Sequence, residues 1–251
     1  MDNTFDKMYY NEGSLIAGID ESGVSDIAGP LVAACVILPK IDLQKDDLRI
    51  FEVNDSKQIP EKYRDKHAEV IWQTAMAIGI GEVQPSEIDY LGRLAAIHVA
   101  MFRAVSACRD ARGKTVRPDF ILIDRVDSKY LPINIKQLHV EQGDTKSLCI
   151  AAASIVAKVY RDKIMLRLHE RYPQYDWISN KGYPCEAHFR GMDSHGVQIG
   201  VHRIKRWPFI KNPSLPEDRS KWEQRRKLWK KVTTLALHQE TDAQLLKQKK
   251  F

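Results

Sequence analysis

Gly18-Ile19-Asp20-Glu21-Ser22-Gly23-Val24-Ser25-Asp26-Ile27-Ala28-Gly29-Pro30 joins two apolar stretches, Ser14 to Ile19 and Leu31 to Leu38. Glycine and proline punctuate the link, so it reads as strand, turn, strand. Asp20 and Glu21 then stand side by side at the end of the first strand. Further along, Pro60 suits the first turn of a helix running from near Glu61 to about Thr74. A strand is predicted from Ala77 to Val83. Pro85 and Ser86 open a helical region that continues through Leu94, Ile97, Val99, Met101 and Val105, at spacings of three and four residues. Phe120 to Ile123 reads as a buried strand tipped by Asp124, and Asn134 to Val140 as another strand.

Gly143-Asp144 starts a long helix predicted from Lys146 to about Arg171. Its first half, Leu148 to Val159, is apolar nearly all round and should be buried. Asp144 precedes its first turn, where a carboxylate can cap free amides. A loop with Lys181-Gly182-Tyr183 follows, then a short helix from Cys185 to about His195. Pro208, Pro213 and Pro216 mark a linker. Beyond it, Glu217 to Leu237 carries Trp222, Leu228, Trp229, Val232 and Leu235 at helical spacing.

The 251 residues suffice for one sizeable core and an appendage, divided here as 1–210 and 211–251. No apolar run reaches the roughly 18 residues that a membrane span needs, and Met1 to Glu12 is too polar and acidic for a secretory signal. Cys35, Cys108, Cys149 and Cys185 form no C-x-x-C pair. A zinc site or disulfide framework is therefore not expected, and a reducing, cytoplasmic setting is. The net charge of +6 is uneven: from Lys211 to Phe251 eleven Lys or Arg face five Asp or Glu. The body before Lys211 is formally neutral. A basic appendage suits a polyanion partner, or is simply a solvated helix face. Trp222, Arg225, Arg226, Trp229 and Lys230 leave the same choice open, between gripping a nucleic-acid backbone and packing on the body.

Asp20-Glu21, Asp124 and Asp144 each flank an apolar element, where a core would bring them near a sheet edge. Buried like charges repel, and burying them unpaired is costly. Divalent cations remove that conflict, because Mg²⁺ takes hard oxygen ligands and keeps several waters. Two ions about 3.5–4 Å apart can hold the attacking water and the leaving oxygen of a phosphoryl displacement. A single Asp at a strand end is more often a cap or turn residue, so the pattern alone leaves this constellation open.

Several motifs in register add to it. Gly18 to Gly23 with Ala28-Gly29-Pro30-Leu31-Val32-Ala33-Ala34 resembles the opening motif of the ribonuclease HII family. Asn54-Asp55-Ser56-Lys57 resembles that family's next loop, and Ile121-Leu122-Ile123-Asp124 its third carboxylate strand. Gly143-Asp144-Thr145-Lys146-Ser147 and the run Ile150 to Asp162 resemble its longest signature. Lys181-Gly182-Tyr183, His188 and His202-Arg203 resemble its later motifs.

The resemblance implies an α/β, ribonuclease H-like fold: a mixed central sheet flanked by helices, here with a C-terminal helical appendage. It implies four metal-binding, catalytic acids at Asp20, Glu21, Asp124 and Asp144, with Mg²⁺ or Mn²⁺ as cofactor. The implied reaction is hydrolysis of the RNA strand of RNA–DNA hybrids, or at ribonucleotides embedded in a DNA duplex as in DNA repair. It leaves 3′-hydroxyl and 5′-phosphate ends. The resemblance places Gly23, Val24, Ser25, Ser56, Lys57, Lys146 and Tyr183 against substrate, with Tyr183 beside the ribose at an RNA–DNA junction. Lys158 is a phosphate contact or a structural helix residue.

Val24-Ser25 stand where the family reads Arg-Gly, and Asp26 where Pro is usual. A Ser25 forced to positive φ would be strained, and Asp26 would add a carboxylate near the metal site. That altered loop supports an alternative: a catalytically weak or inactive hybrid-binding protein of the same fold. A monomer is expected.

Overall fold

A computed structural model of the chain describes residues 4–10, 15–40, 61–124, 131 and 133–203. Strands β1 (Ile16–Ser22), β2 (Leu31–Ile37), β3 (Ala77–Val83), β4 (Phe120–Asp124) and β5 (Lys136–Val140) form one sheet in the order β3-β2-β1-β4-β5. β1, β2 and β3 are antiparallel neighbours, whereas β1, β4 and β5 run parallel, so the sheet is mixed. Helices α1 (Thr4–Lys7), α2 (Glu61–Thr74), α3 (Pro85–Leu91), α4 (Arg93–Ser106), α5 (Gly143–Lys146), α6 (Leu148–Arg171), α7 (Trp177–Asn180) and α8 (Glu186–His195), with a short 3-10 helix at Pro173–Tyr175, complete the described elements.

β2 explains the layering. Every residue of Leu31–Ile37 is buried, because alternate side chains leave opposite faces of a strand and both faces are covered. Leu31, Ala33, Cys35 and Ile37 pack with Ala17, Ile19 and, from α4, Ala100, Met101 and Ala104. Ala34 and Val36 pack with Leu148, Ala151, Ala152 and Ile155 of α6. Each fully buried Leu or Ile side chain in such a core stabilises by roughly 1.5–3 kcal/mol. The cysteines behave as small core residues: Cys35, Cys108 and Cys149 are buried, and all four are free thiols. Among the described residues no helix is long and apolar enough to cross a membrane.

α6 lies directly on β1. A Cβ on Gly18 would stand 2.0 Å from the Cys149 carbonyl carbon, so only glycine lets the two backbones touch. This approach brings the polar residues of α6 over the acidic end of β1. The start of α6 is covered in turn by α1, where the buried Asp6 accepts a hydrogen bond from the Cys149 amide at 3.2 Å.

The element boundaries differ from the sequence expectation in four places. β1 begins at Ile16, not Ser14, and ends at Ser22, one residue past the Asp20-Glu21 pair expected at its end. The helix expected from Pro85 to Val105 is two helices, because Gly92 takes φ 82° and both ends α3 and opens α4. β5 begins at Lys136, not Asn134. The long helix is broken at Ser147, which is extended (φ −107°, ψ 124°) and whose side chain accepts from the Ile150 amide. Ser147 is therefore the cap of α6, and Asp144, inside α5, is not. Ser56, Lys57, the 211–251 extension and its tryptophans lie outside the described residues.

Gly18→Ala would force α6 away from β1. We expect a loss of at least about 1–3 kcal/mol, the usual cost of overpacking, read as a lower midpoint in urea unfolding. An unchanged midpoint would show that the backbones can separate freely.

Candidate active site

Strand register assembles the acids. Ile19 of β1 is paired with Ile123 of the parallel β4, so the next residues, Asp20 and Asp124, end up adjacent. Asp124 is paired with Val140 of β5, and the chain turns three residues later into α5. There the Gly143 amide donates to Asp124 Oδ1 at 2.8 Å, which ties β4 to the turn carrying Asp144. Asp20 and Asp144 are buried, and Asp124 is half-buried.

The electrostatic consequence falls on Asp20. Burial, followed by the charge of Asp124, pushes its carboxyl up to about 7. Asp144 adds to this, while hydrogen bonds from Ser154 and the Glu21 amide oppose it. The Glu21 amide donates to Asp20 Oδ1 at 2.8 Å.

Asp20, Glu21, Gly23, Val24, Ser25, Asp26, Asp124, Arg64, Ser154 and Lys158 line one cleft of about 380 Å³. Of the residues singled out in the sequence, the cleft thus gathers three of the four acids and the whole 23–25 loop. Asp144 is buried and not part of this lining, but near enough for its charge to reach Asp20. Lys146 lies in α5 and Tyr183, half-exposed, stands on a neighbouring loop. Lys158 lines the cleft with its Nζ 2.8 Å from Asp162.

The structure bears on two expectations about the 23–26 loop. Among the described residues Ser25 is not at positive φ, whereas Gly23 is, at 90°, so Ser25 carries no left-handed strain. Asp26 does add a carboxylate to the cleft of the acids, and its Oδ2 lies 2.7 Å from the buried Arg161 guanidinium. Sequence reasoning missed Ser154, Arg64 and Arg161. The signal for two of them was present: Ser154, Lys158 and Arg161 sit at i, i+4 and i+7 of α6, on one face of a helix whose first half is otherwise apolar.

The donor set is entirely carboxylate oxygen, which suits a hard divalent cation and not a soft one. Among the described residues no group of three or more His, Cys, Asp or Glu is set to hold one ion by itself. Mg²⁺ does not require one, since it is usually held by one or two carboxylates and retains waters or substrate oxygens. Repulsion at Asp20 is the kind that a cation relieves, so the residues fit the group.

Next to the cleft, Trp177, His188 and His202 form a buried network. His188 Nδ1 bonds the Tyr183 carbonyl at 3.0 Å, and His202 Nδ1 takes the Gln198 amide at 2.9 Å. These bonds set the tautomers: His188 donates from Nδ1, and its Nε2 accepts from Trp177 Nε1 (3.0 Å) and His202 Nε2 (3.1 Å). Burial pushes His188 down to about 4 and His202 down to about 3, the latter also by the charge of His188.

A mixed five-stranded sheet between helices, with acids at the ends of its central strands, defines the ribonuclease H-like class. A ribonuclease H2 structure from Pyrococcus horikoshii OT3 shares the fold, with a TM-score of 0.64 at 23% identity over 84% of this chain and 98% of that one. A structure of Bst-RNase HIII in complex with Mn²⁺ shares it with a TM-score of 0.57 at 16% identity, over 76% of this chain and 67% of that one. More particularly, the chain belongs to the Ribonuclease HII family, whose model matches residues 17–212. A Ribonuclease HII of Caldanaerobacter subterraneus subsp. tengcongensis is 43% identical over 200 residues, 79% of this chain and 77% of that relative. The chain is accordingly an endonuclease of the ribonuclease H type, a hydrolase.

Two stability measurements test the site. A carboxyl whose folded pKa is raised favours folding at low pH and loses that advantage as pH climbs. For Asp20 this window runs from 3.8, its ordinary value, to about 7. Asp20→Asn should therefore raise the melting temperature of metal-free protein at pH 8, by about 2–4 °C per kcal/mol relieved. The gain should vanish near pH 4. No gain at pH 8 would mean that Asp20 is not repelled.

The histidines carry the opposite sign. Their folded pKa values are depressed, so their contribution is full above 6.5 and is lost as pH falls towards 4 and 3. His202→Gln should cost about 1–3 kcal/mol at pH 7.5, with the deficit shrinking towards pH 4.5. A deficit independent of pH would rule out a neutral network.

Proposed function

We propose that the chain hydrolyses the RNA strand of RNA–DNA hybrids and cuts at ribonucleotides embedded in DNA, leaving 3′-hydroxyl and 5′-phosphate ends. The observation that carries this reading is Asp20, buried within reach of the charges of Asp124 and Asp144 at a cleft, in a chain of the Ribonuclease HII family. Asp20, Glu21, Asp124 and Asp144 would hold Mg²⁺ or Mn²⁺. Such ions, when bound in a pair, supply charge neutralisation at the phosphate and a readied water.

The chain's own groups do the rest. Ser154 and the Glu21 amide hold Asp20 in one orientation, and the Gly143 amide does the same for Asp124. Fixed carboxylates keep their geometry without reorganising during the reaction. Lys158 and Arg64, on the same cleft, offer positive charge to the phosphodiester backbone. The loop Gly23-Val24-Ser25 presents backbone groups to the ribose, where a 2′-hydroxyl distinguishes RNA from DNA. Tyr183, half-exposed on a loop held by His188, offers a flat face to the adjoining sugar and base.

The test uses two labelled substrates, a long RNA–DNA hybrid and a DNA duplex with one ribonucleotide, each with Mg²⁺ and with Mn²⁺. Both should be cut, and the upstream fragment should be extendable by a polymerase from its 3′-hydroxyl. Asp20→Asn and Asp124→Asn should each lower kcat by about 10²-fold or more, with the protein still folded by circular dichroism. Full activity in either variant, or no cutting of either substrate by the native chain, would sink the reading.

A further inference from the structure

Arg161 is a long cationic side chain placed where water cannot reach: it is only 1% exposed, on the inward face of α6. A buried guanidinium is costly unless its charge and its N–H donors are matched. Here two chain segments supply the match. Nε donates to the Pro30 carbonyl at 3.0 Å, Nη1 to Lys181 at 2.9 Å and Nη2 to Ala28 at 3.0 Å. Asp26 closes the set at 2.7 Å. Arg203, also buried, donates to the Gly29 carbonyl at 3.1 Å and the Val24 carbonyl at 3.4 Å.

Backbone bonds run between the same segments. Ile27 donates to Gly182 at 2.9 Å, Gly29 to Val201 at 2.8 Å and Arg203 to Ile27 at 2.8 Å. Gly23 completes the fit, since a Cβ there would stand 2.2 Å from Arg161 Nε. The 23–30 loop, the 181–183 loop and the 201–203 segment therefore meet on two guanidiniums. Arg161 also shares α6 with Ser154, the partner of Asp20. Seven residues of helix, roughly 10 Å, fix the distance between the loop cluster and the acids.

We propose that Asp26, Arg161 and Arg203 form a buried brace that positions the 23–25 loop and Tyr183 relative to the acids and so sets the preference for an isolated ribonucleotide. They are positioning residues: Arg161 and Arg203 act through the backbone they hold, and Asp26 through Arg161. The proposal rests on the reading above, in which this loop and Tyr183 meet the ribose. The mechanism is electrostatic. Asp26 is the carboxylate in contact with Arg161, Asp162 and Asp89 add negative charge nearby, and among the described residues Arg203 Nη2 has no hydrogen-bond partner. Without the charge of Asp26 the two guanidiniums repel each other more strongly and hold the loop carbonyls less tightly. A loop built on Val24 and Ser25 depends on this outside clamp for its shape.

Asp26→Asn tests it, with Asp26→Glu as the charge-restoring control and Arg203→Lys as a second variant that keeps charge but loses the planar fork. The first readout needs no catalysis: amide hydrogen exchange of the ligand-free protein. Ile27, Gly29 and Arg203 should exchange at least tenfold faster in Asp26→Asn and Arg203→Lys, with β1 and β2 as protected as before. The second readout is the ratio of kcat/KM for the single-ribonucleotide duplex to that for the long hybrid. It should fall about tenfold in both variants and recover in Asp26→Glu. Unchanged exchange at the three amides would overturn the brace, whether or not the chain cuts anything. Faster exchange with an unchanged ratio, or an equal loss on both substrates, would overturn its role in specificity. A native chain that cut neither substrate would refute the proposed function while exchange still decided the brace.

Discussion

Carboxylates that repel one another but cannot move apart are the constraint on which this molecule turns. The parallel register of β1 and β4 sets Asp20 beside Asp124, and the turn after β5 brings Asp144 near enough for its charge to act on Asp20. Asp20 and Asp144 are buried, and Asp124 is tied to the Gly143 amide. Concentrated charge of this kind lowers folding stability, and the apolar layers on both faces of β2 offset it. The architecture thus spends core stability to hold a site that is strained until something positive enters it.

Much of this was legible in the chain itself, for identifiable reasons. The apolar runs Leu31–Ile37 and Phe120–Ile123 are uninterrupted because both faces of their sheet are covered. Such runs announce themselves without any partner in view. The acids were legible because each closes or opens one of these runs. Boundaries were less so. Gly92 and Ser147 each interrupt a helical pattern whose apolar spacing continues across the break, and only the backbone angles reveal the division.

The long-range contacts were not legible at all. Nothing local to Asp26 points to Arg161, which lies far along the chain. From the sequence, Asp26 is one more carboxylate near the metal site, and Ser25 is strained if its place in the loop demands positive φ. Asp26 does line the cleft but is tied to Arg161, and Ser25 is not at positive φ, because tertiary contacts, not local propensity, decide the shape of this loop. Likewise Asp6, in a segment read only as polar, proves to be buried against the start of α6.

The isolated bridge between Ala28 and His202 joins residues from opposite ends of the described chain. During synthesis on a ribosome, the acids and α6 emerge well before this late segment does. The loop made first therefore waits for these backbone partners until residues 201–203 have been made.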